Sequence, residues 1–450
     1  MKDFTLAEIA KACNGEYVGD ESLKNTKITS VERDSRQVKN GSLFLAIKGE
    51  RVDGHDFIEK CFAQGAVCAL CEKTPEKATK PCIVVPSTLD AVKIIGRAYR
   101  EKFDIPVIGI SGSVGKTSTK EMLYAVLSQK FKTHKTQGNL NNELGVPLTL
   151  LSMPEDTEAA VIEMGISDFG EMTRLSEMVQ PTICVLTIIG ECHLENLGDR
   201  DGVLKAKTEM FKNARENADF ILNGDDDKLS TVKTVNGKKP VFFGLDAKND
   251  FYAKNIKNSG DGKVLATLCF DNNNIDVEIP AIGTYMVTNA LAAAAAGKLL
   301  GLTDEEIANG VASYKTVGSR ANVINTGKIK IIDDCYNANP TSVRASLDTL
   351  SNLDGRKVAI LGDMKELGSE ELKLHFDTGV YAKSKDIGTV ITVGELAKEL
   401  AKGADGKAFD TIEDAKPEIL KTIKSGDVVL VKASHSMQFE NIVEFLKQNF

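Results

Sequence analysis

The sequence lacks any apolar run approaching the roughly 20 residues that a helix needs to cross a bilayer. Its amino-terminal stretch also lacks the long apolar core and small-residue cleavage site of a signal peptide, so we expect a cytoplasmic protein without membrane insertion. A basic excess is missing too, since 56 Lys and Arg stand against 64 Asp and Glu. This balance argues against a nucleic-acid partner, and local groups must hold any anionic ligand.

A second pair of cysteines, as a zinc site of the C-x-x-C type requires, is also missing. The nine cysteines are scattered, and the C-x-x-C formed by Cys68 and Cys71 lies in a short apolar run that predicts a strand. We therefore expect buried, reduced thiols. The sequence shows no Ser-His-Asp or Cys-His arrangement that would supply a protein nucleophile.

What the sequence does contain is a long alternation of apolar strands with helices. Its 450 residues suit roughly two to four domains, and we divide them at 1–85, 86–317 and 318–450. The pattern predicts an α/β protein with a small first domain, a central P-loop ATPase-like domain with a mostly parallel sheet, and a Rossmann-like third domain. In such sheets ligands lie at the carboxyl ends of the strands.

The stretch "GISGSVGKTSTKEM", Gly109 to Met122, predicts a phosphate cradle between a strand and a helix. Glycines there allow backbone N–H groups to approach phosphate oxygens, and the helix N-terminus adds partial positive charge. Lys116 would reach the outer phosphates and Thr117 would bind Mg²⁺. The early glycine of the usual G-x-x-x-x-G-K-[ST] pattern is replaced by Ile110. A glycine turn beside a surface lysine is the alternative interpretation.

Two further side chains stand at predicted strand ends. Glu163 ends the apolar run "AAVIE", where a buried carboxylate needs a partner, and Mg²⁺ beside the cradle would supply one. A solvated carboxylate is the alternative. His193 follows the run "TICVLTII" in a polar loop, where it could contact a ligand or have a structural role.

Lys207 by itself suggests only a surface lysine. The Asn/Gly-rich segment "TQGNLNNELGVP" suggests a ligand-binding loop or an ordinary turn.

Several stretches occur together in the order found in the Mur ligases, ATP-dependent amide-forming enzymes of bacterial peptidoglycan synthesis. These are "GSVGKTS", "TQGNLNNELGVP", "VIEMG", "HLENLGDRDGVLKAKTEMF", "TNALAA" and "DDCYNANPTS". The chain resembles this family over essentially its whole length, and the family carries the shortened cradle G-x-x-G-K-[TS]. "YNANP", "LGDMKELG" and the amino-terminal "DSRQVKNGSLFLAIKGERVDGHDF" are similar to the member that adds a dipeptide.

The resemblance implies a cytoplasmic, monomeric ligase that joins D-alanyl-D-alanine to UDP-N-acetylmuramoyl-tripeptide through an acyl phosphate, with ATP and two Mg²⁺ ions. Residues 1–85 would bind the UDP-sugar, 86–317 would bind ATP, and 318–450 would bind the dipeptide and close over ATP. Another Mur-type or folylpolyglutamate-like amide ligase is the alternative. A nucleotide switch is a second rival, although the base-reading N-K-x-D of GTPases is absent.

The resemblance also implies roles for individual residues. The catalytic group would be Lys116, Glu163, His193 and Lys207. The ATP-binding group would be Gly112, Ser113, Val114, Gly115, Lys116, Thr117, Ser118, Asn289, Arg320 and Asp334. The substrate-binding group would be Ser35, Arg36, Asn139, Asn142, Tyr336, Asn337 and Asn339. The metal ligands would be Thr117, Glu163, His193 and, once carbamylated, Lys207, for which Lys205 is the alternative.

Three positions depart from the family pattern. Tyr285 and Met286 stand where many members have His-Asn, and His435 stands where Arg is common. We therefore assign no polar role to Tyr285 or Met286, and no carboxylate-binding role to His435.

Overall fold

The computed structural model describes residues 1–76, 78–259, 262–271 and 273–450. Within these residues the chain forms three successive α/β units, each built around its own sheet, as the sequence predicts. No helix in the described part of the chain has both the length and the apolar character needed to cross a membrane.

The first unit has a five-stranded sheet in the order β1-β5-β4-β3-β2, parallel except for β1. Both faces of this sheet are buried at the strand that carries Cys68 and Cys71, with Cys68 on one face and Cys71 on the other. All nine cysteines of the chain are free and buried, as expected. The elements are α1 (Leu6–Ala12), β1 (Glu16–Val18), β2 (Ser30–Glu32), β3 (Ser42–Leu45), α2 (Ile58–Gln64), β4 (Cys68–Cys71) and β5 (Cys82–Val84).

The second unit has a six-stranded, wholly parallel sheet in the order β11-β10-β9-β6-β8-β7. Its central strands are buried on both faces, which explains their continuous apolar sequences. The sheet and the helices around it comprise α3 (Thr88–Arg100), β6 (Val107–Ser111), α4 (Lys116–Leu127), β7 (Thr133–Lys135), α5 (Gly145–Leu151), β8 (Ala159–Glu163), α6 (Glu171–Val179), β9 (Ile183–Leu186), α7 (Leu194–Leu197), α8 (Arg200–Thr208), β10 (Asp219–Asn223) and β11 (Val241–Phe243).

An antiparallel ribbon and two helices complete this unit. They are β12 (Tyr252–Ser259), β13 (Lys263–Phe270), β14 (Asn273–Ile279), α9 (Tyr285–Leu299) and α10 (Asp304–Ala312). The ribbon confirms the antiparallel prediction, although Asn272 of its Asn-rich turn lies outside the described residues. The alanine run of α9 is buried against α4, because small side chains allow the two helices to approach closely. The alanines are therefore core, as predicted.

The third unit has a six-stranded sheet in the order β15-β16-β20-β17-β18-β19, parallel except for the edge strand β15. Strand-helix alternation thus gives the Rossmann-like arrangement that the sequence predicts. The elements are β15 (Asn322–Asn325), β16 (Lys330–Asp333), α11 (Pro340–Ser351), β17 (Lys357–Gly362), α12 (Glu371–Ser384), β18 (Thr389–Val393), α13 (Ala397–Ala404), β19 (Lys407–Phe409), α14 (Ile412–Thr422), β20 (Val428–Lys432) and α15 (Glu440–Asn449).

The three units are joined in different ways. One continuous apolar core links the first unit to the second, and the backbone N–H of Lys2 donates to the Tyr99 hydroxyl at 2.7 Å across that junction. The third unit meets the second through polar contacts that include Thr341 donating to Glu191 at 2.7 Å.

Candidate active site

A cavity of about 910 Å³ lies along the carboxyl ends of β8, β6, β9, β10 and β11. The loop after β16 and the first turn of α11 line its other side. The cavity therefore lies between the second and third units, at the strand ends where parallel α/β sheets bind ligands. Most of the residues selected from the sequence line it.

The glycines of the cradle are required by the backbone. Gly112 has a φ of +152°, and a Cβ there would lie 1.9 Å from the Thr187 hydroxyl oxygen. Gly115 has a φ of +84° and precedes α4. The N–H groups of Lys116, Thr117 and Ser118 open this helix and find no acceptor among the described residues. Free N–H groups at a helix N-terminus are suited to bind an anion, which is the role that the sequence predicts for this turn.

The walls of the cradle are held by β9 and the loop that follows it. The Thr187 hydroxyl donates to the Val114 carbonyl at 2.6 Å, and the Ser113 hydroxyl accepts from the Gly190 N–H at 3.0 Å. Lys116 folds back and donates to the Gly112 carbonyl at 2.8 Å. A negatively charged ligand would therefore meet a preformed loop and the ammonium group of Lys116.

Glu163 is almost fully buried at the end of β8, with 1% of its surface exposed. Its carboxylate accepts hydrogen bonds from Thr117 at 2.9 and 3.1 Å and from the Asn141 amide at 2.8 Å. The ammonium group of Lys120 lies 3.6 Å away and is itself buried. The solvated-carboxylate alternative for Glu163 is therefore wrong.

The sequence reasoning missed Lys120 as a partner of this carboxylate and assigned no role to Asn141. Lys120 follows Lys116 by four residues, so both project from one face of α4, and that spacing was available as a signal. Lys120 also lies 3.2 Å from Glu121, which pairs in turn with Lys135. The charges therefore alternate in sign from the partly buried Lys135 to Glu163.

His193 lines the cavity from a left-handed backbone conformation, with a φ of +52°, immediately before α7. Its Nδ1 lies 2.5 Å from the Glu366 carboxylate of the third unit. This close contact with the imidazole lowers the pKa of the Glu366 carboxyl group. His193 therefore connects two units, in addition to facing the ligand space.

Lys207 does not line the cavity, and the surface-lysine interpretation is wrong. It lies on the inner face of α8 with 1% of its surface exposed, and burial lowers the pKa of its ammonium group to about 8. The positive charge of Lys116 lowers this pKa further. Among the described residues no hydrogen bond or ion pair reaches the Lys207 nitrogen. Lys205, the alternative, is exposed.

The third unit contributes an aromatic and ionic group to the cavity. The Arg320 guanidinium lies 3.6 Å above the Tyr336 ring, and His435 stacks on Tyr336 with ring centres 5.9 Å apart. Asp334 accepts from Lys432 and from the Ser346 hydroxyl, each at 2.6 Å. Lys432, which the sequence reasoning missed, is 3% exposed and fixes this carboxylate.

Some predicted side chains of the cavity also have local structural roles. The Asn339 amide caps α11 by accepting from the Ser342 N–H at 2.8 Å. Asn142 accepts from the Gly145 N–H at 2.8 Å at the start of α5. Asn337 lines the cavity, and its backbone carbonyl accepts from Lys432. Asn289 bridges α9 to α4 by accepting from the Thr119 hydroxyl at 3.0 Å.

Three of the predicted substrate residues lie outside this cavity. Ser35 lines a separate cavity of about 350 Å³ in the first unit, together with Arg33, Asp34, Phe44, Val52 and Phe57. Arg36 is exposed and pairs with Asp34 at 2.6 Å. Asn139 is exposed and does not line either cavity. Sequence spacing cannot show this separation, because it depends on how the units pack.

Comparisons with known proteins agree with this architecture. Residues 27–111 match the catalytic domain of the Mur ligase family, residues 110–297 match the Mur ligase middle domain, and residues 319–435 match the Mur ligase glutamate ligase domain. The chain is 36% identical to the UDP-N-acetylmuramoyl-tripeptide–D-alanyl-D-alanine ligase of Bacillus subtilis, over 98% of each chain.

Solved structures are similar over the same extent. The crystal structure of MurF from Acinetobacter baumannii has a TM-score of 0.92 and 32% identity, covering 100% of this chain and 99% of that one. The MurF ligase of Thermotoga maritima, solved in complex with ADP, has a TM-score of 0.84 and 30% identity, covering 93% and 97%.

Proposed function

This chain belongs to the Mur ligase family, and from that premise we propose that it joins D-alanyl-D-alanine to UDP-N-acetylmuramoyl-tripeptide, with conversion of ATP to ADP and phosphate. One observation carries the proposal. The cradle, the buried carboxylate of Glu163 and the Arg320–Tyr336 group of the third unit all face one cavity. That arrangement suits a reaction in which a phosphoryl group passes to a carboxylate between two units.

ATP would be held by groups that line the cavity. The N–H groups that open α4 and the ammonium group of Lys116 would hold the outer phosphates, and Arg320 would approach them from the third unit. The Thermotoga maritima relative was solved with ADP, which supports ATP as the nucleotide. We assign the remaining predicted contacts, Asn289 near the adenosine and Asp334 near the ribose, on the same basis.

The donors beside the cradle fit magnesium. The hydroxyl of Thr117 and the carboxylate of Glu163 are hard oxygen ligands, and they already lie within hydrogen-bond distance of each other. We propose that they hold one Mg²⁺, and that His193 and a carbamylated Lys207 serve a second. Magnesium bound there would offset the negative charge of the phosphates. The described residues contain no cluster of three His, Cys, Asp or Glu side chains, so phosphate and water oxygens would complete each site.

Lys207 is suited to carbamylation. Only a neutral amine reacts with carbon dioxide, and a pKa of about 8 leaves a substantial neutral fraction near neutral pH. The product replaces a buried, unpaired cation with a carboxylate-like anion. Starting from the ammonium form, this change releases two protons, one from the ammonium group and one on formation of the carbamate. Wild-type protein in ¹³C-bicarbonate should show a carbamate NMR signal that Lys207→Met abolishes and Lys205→Met retains. A signal that survives Lys207→Met would contradict the assignment.

The chemistry requires positioning more than a protein nucleophile. The terminal carboxylate of the peptide attacks the γ-phosphorus of ATP, and the bond from that phosphorus to the bridging oxygen breaks. ADP departs, and the peptide carboxylate becomes an acyl phosphate. The neutral amine of D-alanyl-D-alanine then attacks the acyl carbon, the bond from that carbon to the phosphate oxygen breaks, and the departing phosphate takes up the proton that the amine loses. Lys116 and Arg320 stabilise the charge that develops on the phosphoryl oxygens. The third unit excludes water from the acyl phosphate by covering the cavity.

The other substrate contacts follow from the position of each unit. The cavity beside Ser35 in the first unit would take the UDP moiety, with Arg36 at its edge. Asn139 and Asn142 would flank the peptide, and Tyr336, Asn337 and Asn339 would meet the incoming dipeptide. We assign residues 1–85, 86–317 and 318–450 to the UDP-sugar, ATP and dipeptide in that order. We further propose that the protein acts as a monomer in the cytoplasm.

The decisive assay omits one substrate at a time. We expect sustained ADP release only when ATP, UDP-N-acetylmuramoyl-tripeptide and D-alanyl-D-alanine are all present. ADP release at the same steady rate without the dipeptide would contradict coupled ligation and favour a nucleotide switch. Turnover with folate and glutamate, but not with the UDP-linked peptide, would favour the folylpolyglutamate-like alternative.

A further inference from the structure

Asn223 is a buried amide that faces the cavity and that the proposed mechanism does not use. It ends β10, lines the cavity, and has 6% of its surface exposed. Its Oδ1 accepts a hydrogen bond from the Asp225 N–H at 3.0 Å. Its Nδ2 finds no acceptor in the part of the chain that the structure describes. This nitrogen therefore has an unused donor on the wall of the cavity and is available to a ligand there.

The orientation of this amide is fixed by its neighbour. A reversed side chain would direct an N–H donor at the Asp225 N–H, so the oxygen must occupy that side. The nitrogen is therefore on the side away from the Asp225 N–H, and Oδ1 keeps a second lone pair. Asn223 thus offers one donor and one acceptor side by side. Asn289, the other amide in this part of the cavity, already contacts Thr119 and Met286.

The position of Asn223 matches the far end of a nucleotide. β10 lies two strands from β6, which carries the cradle, a separation of about 10 Å. Glu163 lies on the opposite side of β6, at the end of β8. A nucleoside triphosphate whose terminal phosphate points toward Glu163 therefore extends its base toward β10 and β11.

The walls at that end are suited to a flat aromatic base. Phe243 and Leu245 line the cavity beside Asn223, and Leu245 is 37% exposed, which leaves apolar surface for a ligand to cover. The loop that carries them is held in place, because the Gly224 N–H donates to the Phe243 carbonyl at 2.8 Å and the Asp225 carboxylate accepts from the Leu245 N–H. The pocket is therefore largely preformed.

We propose that Asn223 selects adenine, with Nδ2 donating to a ring nitrogen and Oδ1 accepting from the 6-amino group. Adenine presents an acceptor nitrogen on each side of that amino group, and asparagine pairs with this pattern in two-bond geometry. Guanine has a carbonyl oxygen at the same position, which would face the Asn223 oxygen. The inference rests on the proposed function, because it places a nucleoside triphosphate in the cradle.

The test compares nucleotide affinities in the wild type and in two variants. Asn223→Ser keeps a side-chain acceptor for the Asp225 N–H but is too short to reach a base. Asn223→Asp keeps the shape and loses the donor. Asn325→Asp is the matched control, because Asn325 is exposed and its Oδ1 accepts from the N–H two residues on, as Asn223 does.

Calorimetry should show the wild type binding ADP about 5- to 150-fold more tightly than purine riboside diphosphate, which lacks the 6-amino group. In Asn223→Ser this ratio should fall to within about twofold of one, and the affinity for GDP should rise relative to the affinity for ADP. Asn223→Asp should lose affinity for ADP, and Asn325→Asp should behave as wild type. A ratio of affinities is insensitive to the folded fraction, so partial unfolding does not mask the result.

Deaza analogues identify the edge that is read. The wild type should bind 7-deaza-ADP or 1-deaza-ADP less tightly than ADP, according to which ring nitrogen accepts from Nδ2. This loss of affinity should vanish in Asn223→Ser. An adenine preference that persists unchanged in Asn223→Ser would overturn this inference while leaving the proposed function intact. Failure of the wild type to bind either ADP or GDP would overturn the proposed function as well.

Discussion

The hydroxyl of Thr117 and the carboxylate of Glu163 are 46 residues apart in the sequence, yet they lie 2.9 Å apart in the cavity. Thr117 belongs to the first turn of α4, and Glu163 to the end of β8. Because β6 and β8 are adjacent parallel strands, the helix that follows one meets the end of the other. This contact places a hard-oxygen pair beside the phosphate cradle.

The charge of Glu163 should matter more than its shape. We expect Glu163→Gln to retain its fold and to need much more Mg²⁺ for half-maximal ligation, with turnover falling about 100-fold or more. A Mg²⁺ titration of ADP release measures both effects. Glu216→Gln, at an exposed carboxylate without a partner in the described residues, is the control. An unchanged Mg²⁺ requirement in Glu163→Gln would contradict the assigned metal site.

Lys120 should stabilise the fold through its charge. Its removal in Lys120→Met leaves two buried carboxylates, Glu121 and Glu163, with one neighbouring cation fewer. Breaking a buried pair in this way costs about 3–5 kcal/mol in the free energy of unfolding. Urea denaturation measures this loss. Lys132→Met removes an exposed pair with Asp156 and should cost less than about 1 kcal/mol. Equal losses in the two variants would refute the role of Lys120.

Lys207 should make stability rise with pH in buffer free of carbon dioxide. The folded pKa is about 8, against an ordinary value of 10.5, so between these values the unfolded state holds more protons. The free energy of unfolding therefore increases with pH across this window. Lys207→Met should be more stable than wild type near pH 7 and lose this increase, whereas Lys205→Met should keep it. Denaturation curves at pH 7.5, 8.5 and 9.5 measure the free energy of unfolding of each protein. If it changes with pH equally in the wild type and in Lys207→Met, the prediction is wrong.

Tyr336 should act on ATP through Arg320. The ring supports the guanidinium at 3.6 Å, and such contacts contribute about 0.5–2 kcal/mol. Tyr336→Leu should therefore raise the KM for ATP by about 2- to 30-fold, and Tyr336→Phe should restore it. Tyr381→Leu removes a similar ring beneath Arg344, outside the cavity, and should leave this KM unchanged. A KM for ATP that rises equally in Tyr336→Phe would point to the hydroxyl group instead.

The sequence predicted those parts of the site that depend on local backbone geometry. Gly112 and Gly115 lie at a strand-to-helix turn that only glycine fits, and Glu163 ends a buried strand. These features follow from strand periodicity and turn chemistry. The order of strands in each sheet does not, because pairing joins residues that are far apart in the chain.

The partners of those residues needed the folded structure. Lys432 reaches Asp334 across 98 residues, and no local pattern indicates that contact. Lys207 is different, because Val203, Ala206, Lys207 and Met210 are buried at helical spacing and that periodicity was present in the sequence. Asn223 gave no signal, since a single asparagine after an apolar strand usually marks a turn.

Isotope transfer tests the central claim most directly, namely that a peptide carboxylate is activated by phosphorylation in this cavity. UDP-N-acetylmuramoyl-tripeptide labelled with ¹⁸O in its terminal carboxylate would be ligated to D-alanyl-D-alanine, and the released phosphate analysed by mass spectrometry. An acyl phosphate transfers one labelled oxygen to each phosphate, which is the result we predict. Unlabelled phosphate released alongside the ligated product would contradict the account.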